Sequence, residues 1–505
     1  MKMIKKSLIT LVCMAIASVI YAEKKLPNIV LFLLDDVGIG NLNCYGSPKD
    51  IVQTPYMDSL AESGIRFTNA LTTSSVCAPT RYAIMTGRYA WRGLMKHDVV
   101  GNAPMIIEGV LTIPEMLKEK GYQTACIGKW HLGFTRKTHW TIDFREPLRP
   151  GPLDVGFDYF FGLANNHGDS TGVWLENDGI WKLRSKNIID VPRGYVGTKM
   201  MGFDAPQRVD EEASQMCTDK AIEWLDSIDK SKPFFLYFPS PIAHEPITPS
   251  KKRAGTSKGG IYCEFLMDGD DSVGQIIEYL KKHDVYDNTL FILTADNGTN
   301  HLWGYNRNDE RWTKSDRFKD GHPLMNAIDD ATNAGLRPNG ELKDGKTSVY
   351  EGGFRVPFIV RWPGHVPEGV VNDTAFSLVD ILATLADVVD YKYTRGEWAA
   401  ADSVSLIDLW KNKEFDRPNI ITHAAGGTFA IRNKDSVKYI EGKPFPDQKN
   451  IRPGENKRHI YRLSEDIAEE KNLIDEEAQL AEQLQESLDF IRDANMTRLP
   501  PKPKK

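Results

Sequence analysis

The chain has 505 residues, 41% hydrophobic and 26% charged, which suits a globular protein with a sizeable core. Its formal net charge is -6 and no long basic block interrupts it, which argues against nucleic acid as the main ligand. The length allows one large domain plus a smaller one, or three modest ones.

The N-terminus reads MKMIKKSLITLVCMAIASVIYAEKK. Lys2, Lys5 and Lys6 precede an apolar run from Leu8 to Ile20, and Ala22 closes it before charge resumes. This is the pattern of a secretory signal peptide over residues 1–22. The run is too short to span a bilayer comfortably. Cys13 lies inside it behind Val12, where lipoprotein processing favours a small residue, so a surface lipoprotein is not expected. The expectation is a bacterial protein, periplasmic or secreted, without an integral membrane span once mature.

Cys13 leaves with the signal, and Cys44, Cys77, Cys126, Cys217 and Cys263 remain. An odd, sparse set without CxxC spacing is neither a disulfide scaffold nor a zinc site. At least one thiol has another fate.

Four apolar or β-branched runs read as buried strands: NIVLFLL from Asn28, QTACIG from Gln123, FFLYFPS from Phe234 and LFILTA from Leu290. Helical patterns lie between them, such as TIPEMLKEKG and DDSVGQIIEYLKKHD. The alternation predicts an α/β fold with a large, mostly parallel central sheet flanked by helices. Between Gly298 and Gly345 a polar stretch shows little periodicity and reads as a functional or lid-like insertion. VYEGGFRVPFIVRWPG then returns to strand, and SLVDILATLADVV to helix. From residue 415 short strands (FAIRN, VKYIEG) and one charged helix around Glu465 to Asp493 predict a small C-terminal α+β subdomain over 415–505. The tail PPKPKK reads as disordered.

Each predicted strand ends in chemistry. The first runs into Asp35-Asp36, the second into Lys129-Trp130-His131, the third towards His244, and the fourth into Asp296-Asn297. In open α/β sheets the site lies outside the carboxyl ends of the strands. Asp35, Asp36, Asp296 and the amide oxygen of Asn297 form an all-oxygen set suited to Ca²⁺ or Mg²⁺. Arg81, Lys129, Lys346 and two histidines supply the opposite sign. Cations gathered with a metal point to an anionic guest, sulfate or phosphate.

The run CAPTRYAIMTGR resembles the sulfatase signature, in which Cys-x-Pro-x-Arg directs oxidation of the cysteine to formylglycine. Cys77, Pro79, Arg81 and Thr86-Gly87 carry the match, with Thr80 where Ser is commoner. PNIVLFLLDDVGIG, GYQTACIGKWHLG, HEPITPS, DNTLFILTADNG and GKTSVYEGGFRVPFIVRWPG are similar to further blocks of that family, in order; Asn41 stands where Asp is frequent. The resemblance is to arylsulfatase-type enzymes of the alkaline-phosphatase superfamily. It implies a catalytic domain over 23–414, one calcium ion, a sulfated carbohydrate as substrate, and a formylglycine-generating maturation enzyme as a partner.

Carried over by residue, the resemblance implies that Asp35, Asp36, Asp296, Asn297 and modified Cys77 hold calcium. It further implies that Arg81 and Lys129 fix the formylglycine hydrate, that Lys346 and His244 hold the sulfate and leaving oxygen, and that His131 acts as base. Glu351 reads as structural. In GLANNHGDSTGVWLENDG, His167, Asp169 and Trp174 are candidate sugar contacts. Exported bacterial members of the family suggest exo-action on sulfated galactose or N-acetylgalactosamine. Two alternatives remain open: a formylglycine phosphodiester or phosphonate monoester hydrolase, and a non-catalytic glycan-binding protein if Cys77 is not oxidised.

Overall fold

The structure is a computed structural model that describes residues 25–92, 106–135, 142–169, 171–191, 200–300, 323–393, 399–417, 419–444 and 454–494. The expected signal peptide, the PPKPKK tail and residues 301–322 of the polar stretch lie outside the described residues.

The run NIVLFLL forms β1 (Asn28–Leu34), buried at every position. A strand covered on both faces reads as a continuous apolar run rather than an alternation. There follow β2 (Ile65–Leu71), β3 (Gln123–Lys129), β4 (Tyr159–Leu163), β5 (Leu175–Glu176) and β6 (Gly179–Ile180). A separate hairpin, β7 (Ser185–Val191) and β8 (Met200–Asp204), precedes β9 (Phe234–Pro239) and β10 (Thr289–Ala295). The central sheet is completed by β11 (Arg355–Arg361), β12 (Val370–Asn372) and β13 (Phe376–Ser377).

The strand order is β12-β2-β11-β10-β1-β9-β3-β4-β5-β6, with β13 also paired to β2. The middle block, β10-β1-β9-β3-β4, is parallel throughout. Antiparallel pairs flank it, β10 with β11 on one side and β4 with β5 on the other. The parallel block therefore delivers its carboxyl ends to one edge. Leu34 lies opposite Ala295 and Lys129 opposite Leu163, so the residues that follow leave the sheet side by side.

Helices cover the sheet where the sequence predicts them. Ile113–Glu119 leads into β3 and starts at Thr112, whose hydroxyl accepts from Glu115 N while the Glu115 carboxylate accepts from Thr112 N. The long helix Gly260–Lys282 leads towards β10. The polar stretch differs from expectation, because residues Pro323–Asn333 form a helix packed against Gly260–Lys282. Its inner face uses Ala327, Ile328 and Ala331, which with Leu324 recur at helical spacing inside an otherwise polar stretch.

A second, antiparallel sheet, β14 (Asn419–His423), β15 (Phe429–Asn433), β16 (Val437–Ile440) and β17 (His459–Arg462), forms the C-terminal subdomain with the helix Ala478–Asp493. That helix is shorter than expected. The Asp466 carboxylate accepts from Glu470 N and Lys471 N, and Asn472 Oδ1 from Ile460 N and Ile474 N. Such short polar side chains compete with helical bonding. The subdomain buries Ile421, Phe429, Ile431 and Leu488 against Ala83, Tyr89 and Trp91, on and just beyond the helix Cys77–Thr86.

Glu351 is indeed structural. It is buried among Arg355, Arg432 and Lys438 at 3.0, 3.4 and 3.1 Å, tying the segment before β11 to the C-terminal sheet.

Candidate active site

Asp35 and Asp36 follow β1 directly. Asp35 is held by its backbone, N to Ile242 O and O from Ala243 N. Asp36 takes a left-handed conformation (φ 59°), with its N–H donating to Asp296 Oδ1 at 3.1 Å. The two β-strand exits are thus stitched together before any side chain reaches outward. Both carboxylates and Asp296 are buried.

The helix Cys77–Thr86 is buried along its whole length and starts at Cys77 itself. Thr80 secures the turn before it: its hydroxyl donates to Ser74 O at 3.1 Å and accepts from Ser74 N at 3.3 Å. A Ser hydroxyl would do the same, which explains why Thr is accommodated there. The loop brings Cys77 Sγ to 3.6 Å from Asp35 Oδ1 and 3.8 Å from Asp36 Oδ1. Ligand atoms of Asp35, Asp36, Cys77 and Asp296 all lie within 4.8 Å of one another. Burial, then the Asp296 carboxylate, push the Cys77 thiol up, so it stays protonated and is a poor nucleophile as a cysteine.

Three cations enclose these carboxylates. Arg81 Nε and Nη2 donate to Asp296 Oδ2 at 2.9 and 2.6 Å, and Nη1 donates to Lys129 O at 2.9 Å. Lys129 Nζ lies 2.7 Å from Asp35 Oδ2, and Lys346 Nζ 2.7 Å from Asp36 Oδ2. Burial pushes the Asp36 carboxyl up, and Lys346 and His244 more than offset this, leaving it below the usual range. Burial and the neighbouring Asp35 hold the Asp296 carboxyl above it.

The histidines complete the rim. His244 Nε2 is 3.7 Å from Asp36 Oδ2, and its Nδ1 bonds Glu245 O at 2.8 Å. His131 continues the β3–β4 pairing, its N–H donating to Ala164 O, and its Nδ1 makes no hydrogen bond among the described residues. Burial, then Lys129 and Arg81, hold the His131 imidazole well below its ordinary range, so it is neutral at pH 7.

Asn297 carries the test for a cation. Its Nδ2 donates to Asp36 Oδ1 at 2.7 Å and to Gly298 O at 3.0 Å, while its Oδ1 is buried without a hydrogen bond among the described residues. A buried, unpaired amide oxygen beside three carboxylates fits a hard cation such as calcium. Asn41 is different: its Nδ2 donates to Thr299 Oγ1, Gly38 O and Pro338 O, so it braces the site from behind, and an Asp could not make these donations.

The three candidate sugar contacts part ways. His167 and Asp169 lie on the loop after β4, the fifth parallel strand, which the sequence did not single out. His167 Nε2 bonds Pro246 O at 2.7 Å, beside the His244 segment. Its Nδ1, Asn166 Oδ1 and Asp169 Oδ2 are buried without hydrogen bonds among the described residues. Trp174 instead stacks on Phe161 (ring centroids 5.2 Å) in the core and supports the loop from beneath. Arg208, which no sequence pattern flags, holds Asp169 Oδ1 at 3.2 Å and the Val173 carbonyl at 3.0 Å.

Residues 27–391 match the sulfatase family. An N-acetylgalactosamine-6-O-sulfatase of Bacteroides thetaiotaomicron is 32% identical, over 92% of this chain and 93% of its own. The human N-acetylgalactosamine-6-sulfatase is 30% identical over 78% and 67%. A solved Bacteroides thetaiotaomicron sulfatase, from work on the metabolism of multiple glycosaminoglycans, superposes with a TM-score of 0.79 at 29% identity, covering 93% of this chain and 100% of that one. The chain belongs to the sulfatase family, within the alkaline-phosphatase-like superfamily, and is a sulfuric ester hydrolase.

Proposed function

We propose that this sulfatase removes sulfate from a glycan, exo-acting on N-acetylgalactosamine or galactose, with the 6-O-sulfate as its first candidate. The gathering of Cys77 with Asp35, Asp36 and Asp296 inside a ring of cations carries the chemistry. The Bacteroides relative, similar over nearly the whole of both chains, supports the sugar and position.

Asp35, Asp36, Asp296 and Asn297 would hold calcium, and the Cys77 Sγ stands where the oxygen of a formylglycine would join them. When present, calcium and formylglycine supply positive charge for the sulfate oxygens and a hydrated aldehyde as nucleophile. The chain's own residues do the rest. Arg81 and Lys129, fixed by Asp296 and Asp35, brace the modified side chain. Lys346 faces the substrate side of Asp36 and holds a sulfate oxygen. Glu245 O orients the His244 ring through Nδ1, and Nε2 faces the leaving oxygen, to which the imidazolium form would give a proton; burial, then Lys346, disfavour that form in the free protein, so the ring must gain its proton with the anionic substrate bound. Neutral His131 accepts a proton in the step that releases sulfate.

The unpaired acceptors Asn166 Oδ1, His167 Nδ1 and Asp169 Oδ2 suit sugar hydroxyls, which donate. The maturation enzyme acts on the Cys77 segment, and the leader over residues 1–22 supports export to the periplasm or beyond. Among the described residues no helix is long and apolar enough to cross a membrane.

The test is a panel: 6-O- and 4-O-sulfated N-acetylgalactosamine, 6-O-sulfated galactose, 6-O-sulfated N-acetylglucosamine and an aryl phosphodiester, read as released sulfate or alcohol. Preference for the first or third is expected. Faster diester cleavage would overturn the assignment.

A further inference from the structure

Asn339 is 5% exposed and reaches none of the groups around Cys77. Its side-chain amide instead pairs with both backbone groups of Thr299: Oδ1 accepts from Thr299 N at 2.9 Å, and Nδ2 donates to Thr299 O at 3.2 Å. The same Nδ2 donates to Asp344 O at 2.9 Å. Thr299 lies just past Asn297 on the exit of β10, and Asp344 just before Lys346. Thr299 O also accepts from Lys346 N at 3.0 Å.

The exit of β1 closes on the same amide. Gly38 N donates to Thr299 Oγ1 at 2.9 Å, and a Cβ at Gly38 would stand 1.9 Å from Asn339 Oδ1. Only a glycine permits that approach. One side chain thus ties together the strand ends that carry Asp36 and Asn297 and the loop that carries Lys346.

That loop needs an external brace. Asp344 and Thr347, on either side of Lys346, are left-handed, at φ 60° and 74°. Such a conformation is rare for a β-branched residue and persists only where the surroundings enforce it.

We infer that Asn339 is a positioning residue that sets the reach of Lys346 Nζ towards Asp36 and the substrate sulfate. The inference rests on the reading of Lys346 as a sulfate-holding group. Asn339 touches no reacting atom and acts through the loop.

The test is a double-mutant cycle of Asn339→Asp and Lys346→Ala, using the best substrate of the panel above. It reads kcat/KM, the inhibition constant of inorganic sulfate, and the melting temperature. Asn339→Asp keeps the acceptor for Thr299 N but loses both donations. Alone it is expected to lower kcat/KM about tenfold and to raise the sulfate inhibition constant in parallel; in the Lys346→Ala background the loss falls to under about twofold. An equal loss in both backgrounds, or none in either, overturns the inference while leaving Lys346 in its role. A silent Lys346→Ala removes that role and this inference with it. Where Asn339→Asp does not fold, Asn339→Ser in the same cycle decides by the same criteria.

Discussion

Lys346 Nζ donates to Asp36 Oδ2 at 2.7 Å across 310 residues of sequence, while Asn297 donates to the other oxygen of the same carboxylate. Asp36 therefore stands between a lysine cation, the proposed sulfate holder, and an amide whose own oxygen is buried without a hydrogen bond among the described residues. Lys346→Ala removes the first of these. Loss of one preorganised cation from an oxyanion site costs about 10²–10³ in turnover. Steady-state kinetics on the preferred sulfated sugar should show kcat/KM falling by about that factor, and a loss under threefold would count against the assignment.

Calcium should stabilise the protein through Asn297. A ligand that binds only the folded state adds stability as its concentration exceeds its dissociation constant, about 2.7 kcal/mol at a hundredfold excess. Chelation is expected to lower the melting temperature and calcium to restore it. In Asn297→Leu, which lacks the unpaired oxygen, that calcium-dependent rise should vanish. An undiminished rise would place the cation elsewhere.

Cys77 should not persist as a thiol. Mass spectrometry of the peptide containing Cys77, from protein exported by its native host, should show the aldehyde. Cys77→Ala should fold with an unchanged melting temperature and lose turnover at least about 10³-fold, since the nucleophile is gone. Retained activity would exclude the proposed chemistry.

Asp169→Asn separates sugar recognition from chemistry. The amide oxygen can still accept from Arg208, but the second position changes from acceptor to donor. KM for the sulfated sugar should rise at least about tenfold, because a site built to pair a hydroxyl discriminates strongly when that pairing is lost. Turnover of a small aryl sulfate, if detectable, should be unaffected; equal losses on both substrates would make Asp169 structural.

Glu351 should dominate acid stability. Burial pushes its carboxyl up, and Lys438, Arg355 and Arg432 more than offset this, holding it well below the usual range. A depressed folded-state value contributes stability that is fully present above the unfolded value of about 4.3 and is lost as pH falls below it. Glu351→Gln leaves Arg355 and Arg432 without their buried carboxylate and Lys438 with Glu469 alone, and should cost about 3–5 kcal/mol at neutral pH. Denaturant unfolding from pH 7 down to pH 3 should show wild type losing stability more steeply than the variant, and parallel curves would refute this.

The sequence by itself determined the sheet and much of its edge. Runs such as NIVLFLL announce strands buried on both faces, and the residues just past them, Asp35, Lys129, His131, Asp296, are near because parallel strands must end together. The signature around Cys77 was legible because its spacing is local. Tertiary structure alone decided the rest, where partners are distant in the chain and leave no periodic trace. It set Trp174 in the core against Phe161, and Arg208 against Asp169. It also set Asn339 between Thr299 and Asp344. A hydrogen bond between loops has no spacing rule, because it depends on where whole elements come to rest.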